Sequence, residues 1–132
     1  MGDRMGDRHR TTGLLHRLAR AAVASAFVKL GFDAAREPGS RPARVEAFGI
    51  PQPEVMVRLN GAGMVAAGTA LALGIRPRES ALTLLLLLLP TTVVGHPFWK
   101  EPEAPARQSQ QIQFLKNASM AGGLLALIAA ES

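Results

Sequence analysis

The sequence predicts an all-α integral membrane protein, an antiparallel bundle of four transmembrane helices. The main observation is the stretch from Ser80 to Trp99, which contains six consecutive leucines. This run has no polar helical face and no strand alternation, so its surroundings must be apolar on every side. As a helix it is long enough to cross a hydrocarbon core of about 30 Å. The alternative is a buried central helix of a soluble domain, but 132 residues provide little material for a polar shell around it.

The second observation is the distribution of the polar residues, which are concentrated in segments 1–12, 33–58 and 100–111. The chain is 48% hydrophobic and 19% charged, and its mean hydropathy is +0.14. Outside the three polar segments it is strongly apolar. The net charge of +5 comes from arginines that flank apolar blocks, without an aromatic–basic stacking surface, which indicates anchoring at a lipid bilayer and no nucleic-acid partner. The absence of cysteine excludes disulfides and thiolate metal sites within the chain.

The N-terminal part predicts a tail followed by a first span. Residues 1–13 are polar and repeat the tetrapeptide Met-Gly-Asp-Arg, which predicts a disordered segment ahead of a single domain at 14–131. The first span, about 14–33, is interrupted by Arg17, Arg20 and Lys29. Ala24-Ser25-Ala26 resembles a signal-peptide cleavage site, but the apolar core between the flanking charges is only eight residues long. The pattern therefore favours an uncleaved helix.

The second span is expected at about 58–75. It follows a connection rich in proline and glycine, which predicts a loop outside the hydrocarbon with a short amphipathic piece at Arg44 to Phe48. No charged residue occurs from Leu59 to Ile75. Small residues recur there at a spacing that lets helices approach closely in lipid. These residues are Gly61, Gly63, Ala67, Gly68 and Ala72.

A tight turn at Arg76-Pro77-Arg78 joins the second span to the third, at about 79–97, so that the two form a hairpin. Pro90 removes a backbone hydrogen bond inside the third span and bends it, and Thr91 and Thr92 are placed to compensate. The fourth span is expected at about 111–130, after a loop rich in proline and glutamine.

Four spans place both termini on one side of the membrane, and positive-inside counting favours the cytoplasm for that side. Arginines of the N-terminal segment and the tight turn lie there: Arg4, Arg8, Arg10, Arg17, Arg76 and Arg78. The opposite side has its cations in longer loops: Arg36, Arg41, Arg44, Lys100 and Arg107.

Several motifs resemble the DoxX family along nearly the whole chain from Arg20 onward. They are Arg20 with the following Ala-Ala-Val-Ala-Ser-Ala-Phe-Val, Gly31-Phe-Asp33, Arg58-Leu-Asn60-Gly61, Gly74-Ile-Arg76-Pro77-Arg78, Thr91-Thr92-Val-Val-Gly95-His96-Pro97-Phe98-Trp99 and Gln110-Gln-Ile-Gln-Phe114-Leu-Lys116-Asn117. The resemblance implies a small four-helix protein of the bacterial inner membrane. Some relatives are described as quinone-linked membrane subunits, including a small subunit of thiosulfate:quinone oxidoreductase. Others are described as membrane partners of a superoxide dismutase and a sulfurtransferase.

The candidate site is a set of polar residues in or beside the spans. Inserting a charged residue at the bilayer centre costs about 2.5 to 3.5 kcal/mol on insertion scales, so such residues should not face lipid without a reason. The set is Arg20, Asp33, Arg58, Asn60, His96, Lys116 and Asn117. An antiparallel bundle would bring the helix ends that carry these residues to the same side of the membrane. We therefore expect one partly cationic pocket on the non-cytoplasmic side, which would bind the polar head of a quinone, a lipid or a small anion. Each residue also has a simpler alternative role. The cations would extend to the lipid headgroups, Asp33 would pair with Lys29 or Arg36, His96 would cap its helix, and the two asparagines would only form hydrogen bonds between helices.

Sequence signatures of catalysis are absent. There is no nucleophile elbow, phosphate-binding loop or zinc-protease motif, and His96 has no second imidazole at metal-ligand spacing. We therefore expect no catalytic activity of the chain alone and no metal. The first hypothesis is a non-catalytic subunit that docks a soluble or membrane oxidoreductase. The second is a quinone-binding subunit, with quinone as the cofactor. A small-solute permease or membrane binding protein is the third, and it ranks last because four helices seldom enclose a path unless they oligomerise.

Overall fold

The computed structural model describes residues 2–131, and over that range the chain is all-helical. Its elements are α1 (Gly2–Arg36), α2 (Arg41–Ala47), α3 (Pro53–Ala72), α4 (Pro77–Gly95), a 3₁₀ helix (Phe98–Lys100) and α5 (Ala104–Ala130). The all-α prediction is confirmed. The described residues form five α-helices and not four, because the connection between α1 and α3 contains the seven-residue α2, where the sequence predicts a short amphipathic piece.

Prolines mark where the later helices begin. Each helix from α2 to α5 has a proline in its first turn: Pro42, Pro53, Pro77 and Pro105. Proline is favourable there because the first amides of a helix have no intrahelical acceptor. Gln52 and Arg76, just before α3 and α4, adopt left-handed φ angles of 49° and 43°. These two residues turn the chain sharply into the next helix.

The closest helix pair is α1 with α3, and glycines make the approach possible. A Cβ atom added to Gly31 would lie 2.5 Å from the carbonyl oxygen of Gly61, and one added to Gly68 would lie 2.9 Å from Val28 Cγ2. Later residues of α1 thus face earlier residues of α3, so the two helices are antiparallel. The small residues of the second span do serve helix packing, as their spacing predicts.

The long helices follow one another around the bundle in the order α1, α3, α4, α5, and α5 returns to α1. At the α3–α4 turn, the Ser80 hydroxyl donates to the carbonyl of Ile75 at 2.9 Å. His16 of α1 contacts Glu131 just beyond α5. We call this end of the bundle the turn end. The opposite end, which holds α2 and the 3₁₀ helix, is the loop end.

The leucine run of α4 divides its side chains between core and exterior. Leu84 and Leu88 belong to the core, whose largest fully buried side chains also include Phe27, Leu71 and Leu124. Leu86 and Leu89 point outward and are 60% and 53% exposed. A soluble monomer rarely has such a continuous apolar surface. The exposed leucines of α4 are therefore better suited to contact with lipid than with water.

Three helical segments are long and apolar enough to cross a membrane: Pro53–Ala72, Pro77–Lys100 and Ala104–Ala130. The first of the four predicted spans, about 14–33, is not among them. The reason is composition, since Arg17, Arg20 and Lys29 fall within it. On length and composition this is a multi-pass membrane protein with three candidate spans among the described residues.

The structure differs from the sequence-based expectation at the N-terminus. Residues 2–13 are helical and continue α1, whereas disorder is expected for residues 1–13; Met1 lies outside the described residues. Side chains in this segment are solvent-exposed. The hydroxyls of Thr11 and Thr12 donate to the carbonyls of Asp7 and Arg8 at 2.8 Å each. This part of α1 therefore satisfies its polar groups locally, without packing against another helix.

Candidate functional site

The candidate residues from the sequence do not meet in one cavity. Asp33, Arg58, Asn60, His96, Lys116 and Asn117 lie toward the loop end, on four different helix segments. Arg20 lies at the turn end, where its guanidinium is 3.6 Å from the Glu131 carboxylate. The six loop-end residues further divide into an interior pair of asparagines, a histidine at a helix end, and three charged residues near the surface.

Asn60 joins α3 to α4 close to Pro90, which lies inside α4. Its Nδ2 donates to the carbonyl of Leu87 at 3.2 Å. The Thr91 hydroxyl lies 3.2 Å from Asn60 Oδ1 and 2.9 Å from the same Leu87 carbonyl. The amide of Asn60 is therefore occupied on both sides by α4.

Asn117 makes the equivalent connection from α5. It is buried, and its Nδ2 donates to Thr92 Oγ1 at 3.1 Å. The Thr92 hydroxyl in turn donates to the carbonyl of Leu88 at 2.8 Å. A buried amide that finds such a partner avoids the free-energy cost of an unpaired polar group, so Asn117 has a structural role here.

His96 ends α4 and pairs with α5. Its Nδ1 lies 2.8 Å from Oε1 of Gln110. An amide oxygen accepts, so this amide orientation makes Nδ1 the donor. The pair fixes the ring at the start of the connection to the 3₁₀ helix.

Arg58 and Asp33 make local contacts, and Lys116 is exposed on α5. Arg58 Nη1 donates to the carbonyl of Ala35 at 2.6 Å, and Arg58 Nη2 pairs with Glu54 at 3.0 Å. A cation at the C-terminus of α1 is favourable because the last carbonyls of a helix carry partial negative charge. Lys29 and Asp33 pair one turn apart on α1 at 2.9 Å.

A cleft of about 250 Å³ opens at the loop end between α2, the end of α4 and the start of α5. Its lining consists of Arg44, Ala47, Phe48, Val94, Pro97, Lys100, Glu101 and Gln110. Arg44 Nη1 donates to the carbonyl of Gly95 at 2.7 Å, and Lys100 Nζ lies 4.0 Å from the centroid of the Phe48 ring. These two contacts hold α2 against the bundle and place two cations beside an apolar floor.

Aromatic side chains complete this end. Phe98, Trp99 and Phe114 pack edge to face, with ring centroids 5.2 to 6.0 Å apart. Trp99 is 50% exposed, as expected for a residue of the membrane–water interface. The cluster fixes the 3₁₀ helix on α5.

A family model supplies the independent comparison. The model for DoxX matches residues 15–97, which is more than half of the chain. The chain belongs to the DoxX family. No curated protein and no solved structure gives a significant match to it.

The DoxX match covers the bundle unevenly. It includes most of α1, all of α2 to α4, and the candidate residues up to His96. Gln110, Lys116 and Asn117 of α5 lie beyond it. The α4 residues of the cleft and of the interior hydrogen bonds therefore fall within the matched range, and the α5 residues fall outside it.

Sequence reasoning missed the residues that shape the loop-end cleft. Arg44 and Lys100 are read from sequence only as surface cations, and Gln110 only as part of a motif. The available signals are the amphipathic piece at Arg44 to Phe48 and the placement of a cation next to Trp99. Over residues 2–131 no three His, Asp or Glu side chains come close enough to hold a metal, so the site offers hydrogen bonding, cationic charge and an aromatic face.

Proposed function

We propose that this DoxX protein is a membrane-embedded subunit that docks a partner of a membrane-associated redox system and performs no catalysis itself. The loop-end cleft is the observation that supports this most. It combines the cations Arg44 and Lys100 with the Phe48 ring at the loop end of the bundle. The partner class, a soluble or membrane oxidoreductase, comes from the DoxX resemblance.

The interior of the bundle supports a docking role over a catalytic one. The asparagines Asn60 and Asn117 already use their amides to join α3 and α5 to α4. A general acid, base or nucleophile needs a titratable or reactive group that is free to meet a substrate. The hydrogen bonds seen here fix helices instead.

The proposed location is the bacterial inner membrane, with α1 as a fourth span and the turn end in the cytoplasm. Arg76 and Arg78 in the short α3–α4 turn support this orientation through the positive-inside rule. The loop-end cleft then faces the other side of the membrane. A partner would reach it from that side or from within the bilayer.

The experiment is co-purification from membranes in mild detergent, with a charge-reversed double variant, Arg44→Glu with Lys100→Glu. We expect a defined oxidoreductase to be retained by the wild-type protein and lost from the double variant. Arg78→Glu, an exposed charge reversal at the turn end, is the matched control and should retain the partner. Retention by the double variant, or no oxidoreductase with the wild type, would contradict the proposal.

A quinone-binding subunit is the second candidate, because the His96–Gln110 pair borders a cleft that also presents an aromatic ring. A quinone ring would lie in this cleft and accept a hydrogen bond from Arg44 or Gln110. Solvent extraction of purified protein should then yield quinone, and Gln110→Ala should lower the yield several-fold. Asn117→Ala changes only the interior bond and should keep the quinone. Equal losses in the two variants would contradict this placement.

A further inference from the structure

Arg20 at the turn end has a guanidinium without a hydrogen bond to any of residues 2–131. Its side chain is only 16% exposed, and its Nε is buried with no partner. The nearest carboxylate oxygen, Glu131 Oε1, lies 3.6 Å from Nη1. That separation makes an ion pair but is longer than a hydrogen bond.

The Arg20 guanidinium packs against Gly74. A Cβ atom added to Gly74 would lie 3.2 Å from Arg20 Nη2, 3.4 Å from Cζ and 3.6 Å from Nη1. The guanidinium therefore packs directly beside Gly74, next to the space that a side chain there would take. Gly74 also has a φ of +72°, which favours glycine. One side of the guanidinium is therefore covered by Gly74, its Nε is buried, and the side chain keeps a small exposed fraction.

A guanidinium carries five N–H donors in a fixed plane and matches phosphate or carboxylate oxygens in pairs. His16 lies one helical turn before Arg20, on the same side of α1, and contacts the Glu131 carboxylate. The side chains of His16 and Glu131 are 25% and 22% exposed, so the group opens to the surface. Arg17 and Arg76 add exposed positive charge to the same end.

We propose that Arg20 and His16 form an oxyanion-binding site at the turn end, whose ligand is a phosphate group. The phosphate belongs either to a lipid headgroup or to a free phosphate ion. The Glu131 carboxylate competes for the same two side chains and lowers the affinity for the ligand. This site is separate from the loop-end cleft and does not depend on the proposed docking function.

The experiment measures ligand binding to the full chain in nanodiscs and in detergent. One arm counts bound phosphatidylglycerol against phosphatidylcholine by native mass spectrometry, and the other titrates inorganic phosphate by its effect on thermal unfolding. Arg20→Gln removes the donors, and Glu131→Gln removes the competing charge. Arg78→Gln removes an exposed arginine of the same end that has no ion pair within the described chain.

We expect Arg20→Gln to weaken phosphate-dependent binding about tenfold or more and Glu131→Gln to strengthen it several-fold. Arg78→Gln should stay within about twofold of wild type. A lipid headgroup is the ligand if only the phosphatidylglycerol arm responds, and free phosphate is the ligand if only the titration responds. Equal effects of Arg20→Gln and Arg78→Gln in both arms, or no gain in Glu131→Gln, would overturn the proposal. If Arg20→Gln fails to fold, His16→Gln must show the loss.

Discussion

Thr91 and Thr92 are adjacent on α4, yet their side chains form hydrogen bonds with two different helices. Thr91 meets Asn60 of α3, and Thr92 accepts from Asn117 of α5. Successive residues of an α-helix point about 100° apart, so two adjacent threonines reach two flanking helices. They follow Pro90, which cannot donate to the carbonyl one turn earlier. Polar side chains thus stabilise α4 where its backbone hydrogen bonding is interrupted.

The Asn117–Thr92 bond gives a prediction at this scale. In a double-mutant cycle of Asn117→Ala and Thr92→Val, we expect a coupling of about 0.6 kcal/mol, and at most about 1.7 kcal/mol, as for other hydrogen bonds between membrane helices. The measurement is the free energy of unfolding in mixed micelles. Ser119→Ala is the control, because its hydroxyl bonds only within α5. A coupling indistinguishable from zero would show that the bond does not stabilise the bundle.

At the scale of elements, the α1–α3 crossing depends on backbone contact. A Cβ atom on Gly61 would meet the Gly31 carbonyl oxygen at 2.5 Å and the Ala35 nitrogen at 2.8 Å. Both are main-chain atoms, so no flexible side chain can move aside. The arrangement also explains how α1, which carries charges inside its apolar stretch, is held against the bundle.

We expect Gly61→Ala to destabilise the protein by about 1 to 3 kcal/mol, because overpacking forces the two backbones apart. The matched control is Gly122→Ala in α5, where an added Cβ meets nothing within 4 Å. That change should stabilise the helix by about 0.5 to 1 kcal/mol. Thermal and denaturant unfolding in the same detergent measure both variants. Equal stabilities would contradict the close approach of α1 and α3.

Helix positions were largely predictable from sequence, and helix boundaries less so. The second to fourth spans were placed at about 58–75, 79–97 and 111–130, and the helices begin earlier, at Pro53, Pro77 and Ala104. Hydropathy marks where side chains are apolar, whereas a helix continues into polar sequence until a proline or left-handed residue stops it. For the same reason α1 continues through polar sequence to Gly2, beyond the residues that contact other helices.

At the scale of the whole molecule, the candidate site shows what sequence cannot supply. Asn60 and Asn117 were identifiable as polar residues in apolar spans, but their partners depend on how each helix is rotated. Arg20 and Asp33 share α1 and were grouped together, yet their separation along the helix is about 20 Å. His16 and Glu131 meet from opposite ends of the sequence, and no local pattern predicts that contact.

The proposed four-span topology can be tested because the chain has no cysteine. Four crossings, including α1, place Thr12 and Arg78 on one side and Ser40 and Glu103 on the other. The test introduces one cysteine at a time and labels it with a membrane-impermeant maleimide. The two positions on each side of the membrane should therefore give the same labelling result. In intact cells we expect Ser40→Cys and Glu103→Cys to be labelled. Thr12→Cys and Arg78→Cys should be labelled only after permeabilisation.

Thr12→Cys and Ser40→Cys are the decisive pair, because they lie on either side of the apolar part of α1, the long helix whose composition falls short of a membrane span. If α1 crosses, its charges near the two ends reach the headgroups and Gly31 keeps its contact with α3 within the bilayer. The two cysteines then label from opposite sides. If both label from the same side while Arg78→Cys and Glu103→Cys differ, the protein has three crossings and α1 lies along the surface.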